Sequence, residues 1–176
     1  MDLDRLRRQE PAAFAELVKH HQPILLGLGQ SLGLRGADLD DAAAEAFAAV
    51  YRALPRFEGK SELGTWIYSI GYRVMLKART RVRKLAMPEL PAIDPTDPSQ
   101  SAEDKIEADE TAEALWAAVA TLEPRQAATI EFFYRRQWPI DQIARVLECP
   151  EGTVKTLLFR ARERLHTILS RQKTFQ

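Results

Sequence analysis

The stretch Trp138 to Leu165, WPIDQIARVLECPEGTVKTLLFRARERL, decides the reading of the chain. Pro139 suits a first helical turn, where its missing N–H costs nothing. Ile140, Ile143, Ala144 and Leu147 then recur at i, i+3, i+4 and i+7, the apolar stripe of an amphipathic helix. Glu148-Cys149-Pro150 breaks the pattern, because a residue before proline is pushed out of the α region. Val154, Leu158, Ala161 and Leu165 open a second stripe at spacings of four, three and four. Two short apolar-faced helices around such a turn predict a helix-turn-helix.

At about 100° per residue, Lys155, Thr156, Phe159 and Arg160 point away from the second stripe, with Arg162 and Arg164 on its flanks. Lys and Arg pair with phosphates or guanine edges, Thr with either, and Phe with a thymine methyl. The plain alternative is a solvated basic helix. A mixed basic, hydroxyl and aromatic face favours DNA.

Working outward, 103–121 and 123–137 read as helices that support the helix-turn-helix. Ala127, Ile130, Phe133 and Tyr134 are the expected packing face of the latter. Residues 85–102 read as a flexible linker, since Pro88, Pro91, Pro95 and Pro98 among Asp, Ser and Thr deny it a core. Some 20 residues reach roughly 65 Å, nearly two duplex turns of about 35 Å. Tethering two weak contacts makes them act as one stronger one. Upstream, 66–84 reads as a helix in which Trp66, Tyr68 and Tyr72 precede an acid-free run, Arg73, Lys77, Arg79, Arg81, Arg83 and Lys84. Rings stack on bases and cations follow the backbone, so this pattern suits single-stranded DNA; a core helix with a basic end is the plain alternative. The stretch 55–65 is a loop punctuated by Pro55, Gly59 and Gly64. Residues 37–54 are rich in helix formers, with Asp38, Asp40 and Asp41 expected in the first turn. Leu39, Ala43, Ala46, Phe47, Val50 and Leu54 form its stripe. Residues 11–31 read as a helix that Pro23 kinks or interrupts. The expected fold class is all-α: two small helical domains, 1–84 and 103–176, joined by the linker 85–102, with a frayed tail from Ser170.

The charge is balanced, with 25 basic and 25 acidic residues among 176, but it is segregated. Basic blocks at 73–84 and 155–173 flank an acidic one at 94–113, which makes local fields that the net charge hides. No apolar run reaches membrane-spanning length, and the N-terminus lacks a signal-peptide core, so a cytoplasmic protein with no membrane partner is expected. Cys149 is the single cysteine and reads as a small buried hydrophobe. Adjacent His20 and His21 cannot share a helix face, so no metal site is expected. There is no Gly-rich phosphate loop and no nucleophile with a placed base, so neither an enzyme nor a cofactor is expected.

GTVKTLLFRARERL, preceded by Leu122-Glu123-Pro124-Arg125-Gln126, resembles the C-terminal DNA-binding module of bacterial sigma factors. FAELVKHHQPIL (14–25) and FEGKSELGTWIYSI (57–70) resemble their N-terminal domain. The ordered set resembles a two-domain extracytoplasmic-function sigma factor, group 4 of the sigma-70 family. The resemblance implies an alternative sigma factor that binds core RNA polymerase and directs promoter-specific initiation. It implies −35 reading by Thr153, Lys155, Thr156, Phe159, Arg160 and Arg162. Capture of a flipped −10 base and melting fall to Phe57, Lys60, Ser61, Trp66, Tyr72, Arg73, Lys77 and Arg79. Asp40, Asp41, Glu45, Phe47 and Tyr51 would dock on the β′ clamp, and the C-terminal module on the β flap. The implied partners are core polymerase, promoter DNA and an anti-sigma factor. Four positions depart from the family's habit: Ala44 for Gln, Arg73 for Asn, Lys77 for Asp, and Leu157 for Arg. They motivate a second reading, a sigma-like mimic that binds an anti-sigma factor without promoter activity. A dimeric helix-turn-helix repressor or activator is a third, which leaves the first 84 residues unexplained.

Overall fold

The structure is a computed structural model that describes residues 2–85 and 106–173. Those residues form helices joined by short turns and loops, in two units. The expected linker from residue 86 onward, the start of the helix expected at 103, and residues 174–176 lie outside the described residues.

In the first head, α1 (Leu3–Arg7) is a single short helix. Asp2 caps it by accepting the N–H groups of Asp4 and Arg5 through Oδ1 at 3.0 and 3.2 Å. It has too few residues to show a period, so the sequence reading missed it. Arg7 ties it down by donating to the Phe57 carbonyl at 2.8 Å. α2 (Pro11–Ser31) runs through Pro23, so of the expected kink or interruption the interruption does not occur. Its buried Leu17, Leu25 and Leu28 hold it against the next helices, which outweighs one lost backbone bond. α3 (Gly36–Ala53) starts one residue before its expected bound, so only Asp38 lies in the first turn. A 3-10 turn, Leu54–Arg56, opens the stretch expected as a loop. α4 (Leu63–Leu85) begins three residues ahead of Trp66, within that loop.

α2, α3 and α4 pack against one another around Leu25, Leu28, Ile67 and Met75. Gly71 of α4 lets α2 approach, since a Cβ there would lie 2.3 Å from Leu25 Cδ2. Within this core His21 is 6% exposed, and its Nδ1 shares a hydrogen bond with the Tyr68 hydroxyl at 2.6 Å. Burial pushes the His21 imidazole from 6.5 down to about 4, with help from His20. A depressed folded-state pKa means stability that is full above the unfolded value and is lost as pH falls toward the folded one. Unfolding free energy should therefore drop between pH 6.5 and about 4, by up to about 3 kcal/mol at 1.36 kcal/mol per unit. Urea titrations at stepped pH check this. A His21→Gln chain should lack that part of the slope; equal slopes would discard the assignment.

The second head comprises α5 (Ile106–Thr121), α6 (Pro124–Ile130), α7 (Ile140–Val146) and α8 (Glu151–Lys173). α8 runs through Ser170, which corrects the expected frayed start of the tail. Between α6 and α7, Glu131–Arg135 forms a π turn. An i→i+5 turn accommodates an extra residue and rotates the side chains that follow. Glu131 and Phe132 thus face inward at 0% exposure, while Tyr134, expected to pack, is 49% exposed. Phe132 stacks on Trp138, with rings 4.6 Å apart and 2° from parallel.

The heads touch. α4 lies against α7, and α2 lies against α5, α6 and the π turn. Arg73 pairs with Glu148 at 2.7 Å, Arg136 Nη2 donates to the Pro23 carbonyl at 2.8 Å, and Arg79 Nη2 donates to the Leu122 carbonyl at 3.2 Å. Tyr68 and Trp138 meet across the seam, with ring centroids 5.0 Å apart.

Candidate nucleic-acid interface

α7 and α8 build the helix-turn-helix. Ile143, Ala144 and Leu147 of the first stripe are buried, as are Val154, Leu158, Ala161 and Leu165 of the second. The turn uses a left-handed Glu148 at φ 50°, followed by Pro150, whose carbonyl accepts from Thr153 N at 2.9 Å. Cys149 is half-buried against the core, and burial pushes its thiol up.

Burying that stripe leaves the opposite face of α8 outside. Lys155, Thr156, Phe159, Arg160 and Arg162 are exposed, and Phe159 is so at 60%. A phenyl ring this bare has no packing role in its own fold. Thr153 is half-buried at the entry. Thr156 Oγ1 donates to the Gly152 carbonyl at 3.0 Å, which leaves its oxygen able to accept. Arg162 is braced by Tyr134: Nε donates to the hydroxyl at 2.6 Å, and the guanidinium lies 5.5 Å from the ring centroid. Tyr134 is therefore a member of this face that the sequence reading placed in the core; the π turn that swings it out has no local signature.

The other proposed DNA surface is arranged differently. Lys60, Arg73 and Lys77 are exposed, and Ser61 and Trp66 are half-buried. Lys60 pairs with Glu58. Three aromatic expectations are corrected. Phe57 is 6% exposed and lies against Trp66, with centroids 4.7 Å apart; Tyr68 is 3% exposed between His21 and Trp138; Tyr72 is 6% exposed. Hydrophobic burial claims these rings before any base does. Burial pushes the Tyr72 hydroxyl up, and Arg125 and Arg79 pull it partly back. Arg79 is also corrected: it is 8% exposed, and burial pushes its guanidinium down. The second head covers both residues.

Of the residues expected to dock, Asp40, Asp41 and Glu45 stand exposed on α3, and Tyr51 is half-buried, edge-on to Phe14 at 4.8 Å. Phe47 is 7% exposed in the core, which corrects its assignment to a docking surface; it falls on the stripe that also holds Ala43 and Val50. Among the described residues no His, Cys, Asp and Glu cluster has metal-site geometry, and no helix is long and apolar enough to cross a membrane.

Comparison with known proteins matches residues 17–85 to sigma-70 region 2 and residues 112–165 to sigma-70 region 4. The RNA polymerase sigma-H factor of Pseudomonas aeruginosa is 31% identical over 190 residues, covering 95% of this chain and 91% of that protein. The chain belongs to the extracytoplasmic-function sigma factors. The sigma-E factor of Escherichia coli K12 is 26% identical, with 92% and 88% of the two chains covered. Among solved structures, CnrH in complex with the cytosolic domain of CnrY superposes with a TM-score of 0.69 at 20% identity, covering 96% of this chain and 94% of that one. The sigma factor RpoE of Bartonella quintana, in complex with the anti-sigma factor NepR, gives 0.65 at 21% identity, with 90% and 97% covered. These two establish a shared all-α sigma fold. A sigma factor works in promoter-specific transcription initiation, and the helix-turn-helix is its DNA-binding module.

Proposed function

We propose that this sigma factor reads −35 duplex DNA with the exposed face of α8 and engages the −10 strand with α4. The carrying observation is the split of α8: a buried Val154/Leu158/Ala161/Leu165 stripe, and opposite it Lys155, Thr156, Phe159 and Arg160 in solvent. On that face Lys155 and Arg160 contact phosphate or guanine, Thr156 accepts at a base edge, and Phe159 meets a thymine methyl. On α4, Arg73 and Lys77 follow the single strand, and half-buried Trp66 supplies the stacking ring. Asp40, Asp41 and Glu45 dock on the polymerase clamp. The domain bounds are 1–84 and 103–176. An anti-sigma factor is the further partner class, by analogy with the Bartonella quintana complex.

Purified core RNA polymerase tests this. The chain should co-migrate with the core enzyme on a sizing column and yield promoter-dependent transcripts whose 5′ ends define its −10 and −35 elements. A chain that binds polymerase yet yields no such transcript is the mimic of the second reading. The bare, cationic α8 face favours the promoter reading, since a mimic has no use for it.

A further inference from the structure

We propose that Tyr134 and Arg162 form a two-pronged clamp for one DNA backbone phosphate, built where the π turn meets the flank of α8. This rests on the assignment of α8 to duplex DNA. Arg162 Nε donates to the Tyr134 hydroxyl at 2.6 Å, so the oxygen is the acceptor and its own hydrogen stays available. A phosphate oxygen is an acceptor of the right kind for that hydrogen. The guanidinium spends only Nε on the hydroxyl, which leaves its Nη hydrogens for the same phosphate. Among the described residues the contacts of Arg162 are that hydroxyl and the rings of Phe133 and Tyr134, 5.9 and 5.5 Å from the guanidinium, and no carboxylate pairs with it. Its charge is therefore not neutralised by its own head.

The rings hold the cation in one place. Phe133 and Tyr134 meet edge to face with centroids 5.1 Å apart, and the guanidinium lies against both. A planar cation fixed in this way loses less freedom when it binds. The backbone explains why a tyrosine can stand there. Phe132 turns inward onto Trp138, and the wide turn then swings Tyr134 out beside α8. Both partners are exposed, so the pair does little for the stability of its own head. Lys155 lies seven residues before Arg162, two helical turns and about 10 Å away on the same flank of α8. The clamp thus marks the far end of a DNA-facing flank whose near end is Lys155. A phosphate gripped there sets the register of the helix in the groove without reading sequence.

The test uses the full chain and two duplexes of equal length, one carrying the −35 element mapped from its transcripts and one scrambled, with affinity read by fluorescence anisotropy. Tyr134→Phe keeps both rings and removes the hydroxyl. Its urea midpoint should equal that of wild type, while its affinity should fall about fivefold, the loss of one hydrogen bond. The fall should be the same on both duplexes, because a backbone contact is blind to sequence. Arg162→Ala should lose about tenfold and shrink the slope of log affinity against log salt by about 0.9. In that background Tyr134→Phe should cost under about twofold, the coupling expected of two groups on one phosphate. Arg162→Lys keeps the charge without Nε, so it should keep the slope and lose affinity as Tyr134→Phe does. A Tyr134→Phe chain that binds both duplexes as wild type overturns the clamp. So does a loss that persists undiminished without Arg162, or one confined to the −35 duplex, which would make Tyr134 a reader of bases. Alanine at Lys155 and Arg160 separates the two readings. If those variants bind as wild type, the −35 assignment falls and the clamp with it; if they bind weakly while Tyr134→Phe does not, the clamp alone falls.

Discussion

Phe132→Ala should lower the unfolding free energy of the second head by about 3–5 kcal/mol, the cost of truncating a fully buried aromatic that cannot be back-filled. The ring is 0% exposed and stacks face to face on Trp138. Trp138 in turn meets Tyr68 across the seam, so the cavity also loosens the head-to-head contact. Small domains are stable by only about 5–15 kcal/mol in all, and the loss should appear as early melting of the helix-turn-helix unit in urea. Phe159→Ala is the control of the same chemistry. That ring is 60% exposed, and its removal should change stability by no more than about 0.5 kcal/mol. Equal effects from the two would mean that the inward turn at Glu131–Arg135 is misassigned.

Joint replacement of Lys155 and Arg160 by alanine should cut affinity for −35 duplex DNA by about 10- to 100-fold at moderate salt. Both side chains are exposed on the α8 face, so their loss removes contacts without disturbing the buried stripe. If both meet phosphates, the slope of log affinity against log salt should shrink by about 2, near 0.9 for each contact. If one reads a guanine edge instead, the slope should shrink by about 1 and discrimination at that base pair should fall by about 1–3 kcal/mol. Fluorescence anisotropy over a salt series separates the two. An unchanged affinity and slope would remove α8 from the −35 contact.

Docking of the heads has a bearing on both measurements. The α8 face points outward from its own core, so free protein should bind −35 duplex without rearrangement. Arg73 is paired with Glu148, so its binding to the −10 strand carries the added cost of breaking that pair. The two half-sites should therefore differ in affinity for the isolated chain even where their contact chemistry is similar.

The amphipathic stripes of α2, α3, α7 and α8 were readable from sequence because their cause is local. A 3.6-residue period places Val154, Leu158, Ala161 and Leu165 on one side whatever they pack against. The exposure of Lys155, Phe159 and Arg160 follows from that same period. Phe47 was assigned to docking although its own stripe put it in the core, and there the packing pattern was the better guide. What the sequence determined alone is thus the helical class, the helix-turn-helix and its solvent-facing residues. What only the tertiary structure decided is the inward turn of Glu131 and Phe132, the outward turn of Tyr134, and the burial of Tyr72 and Arg79. Each of these depends on atoms more than 25 residues away or on a single wide helical turn. Periodicity carries no information about either, because side-chain burial across a seam is set by the partner surface and not by the neighbours in the chain.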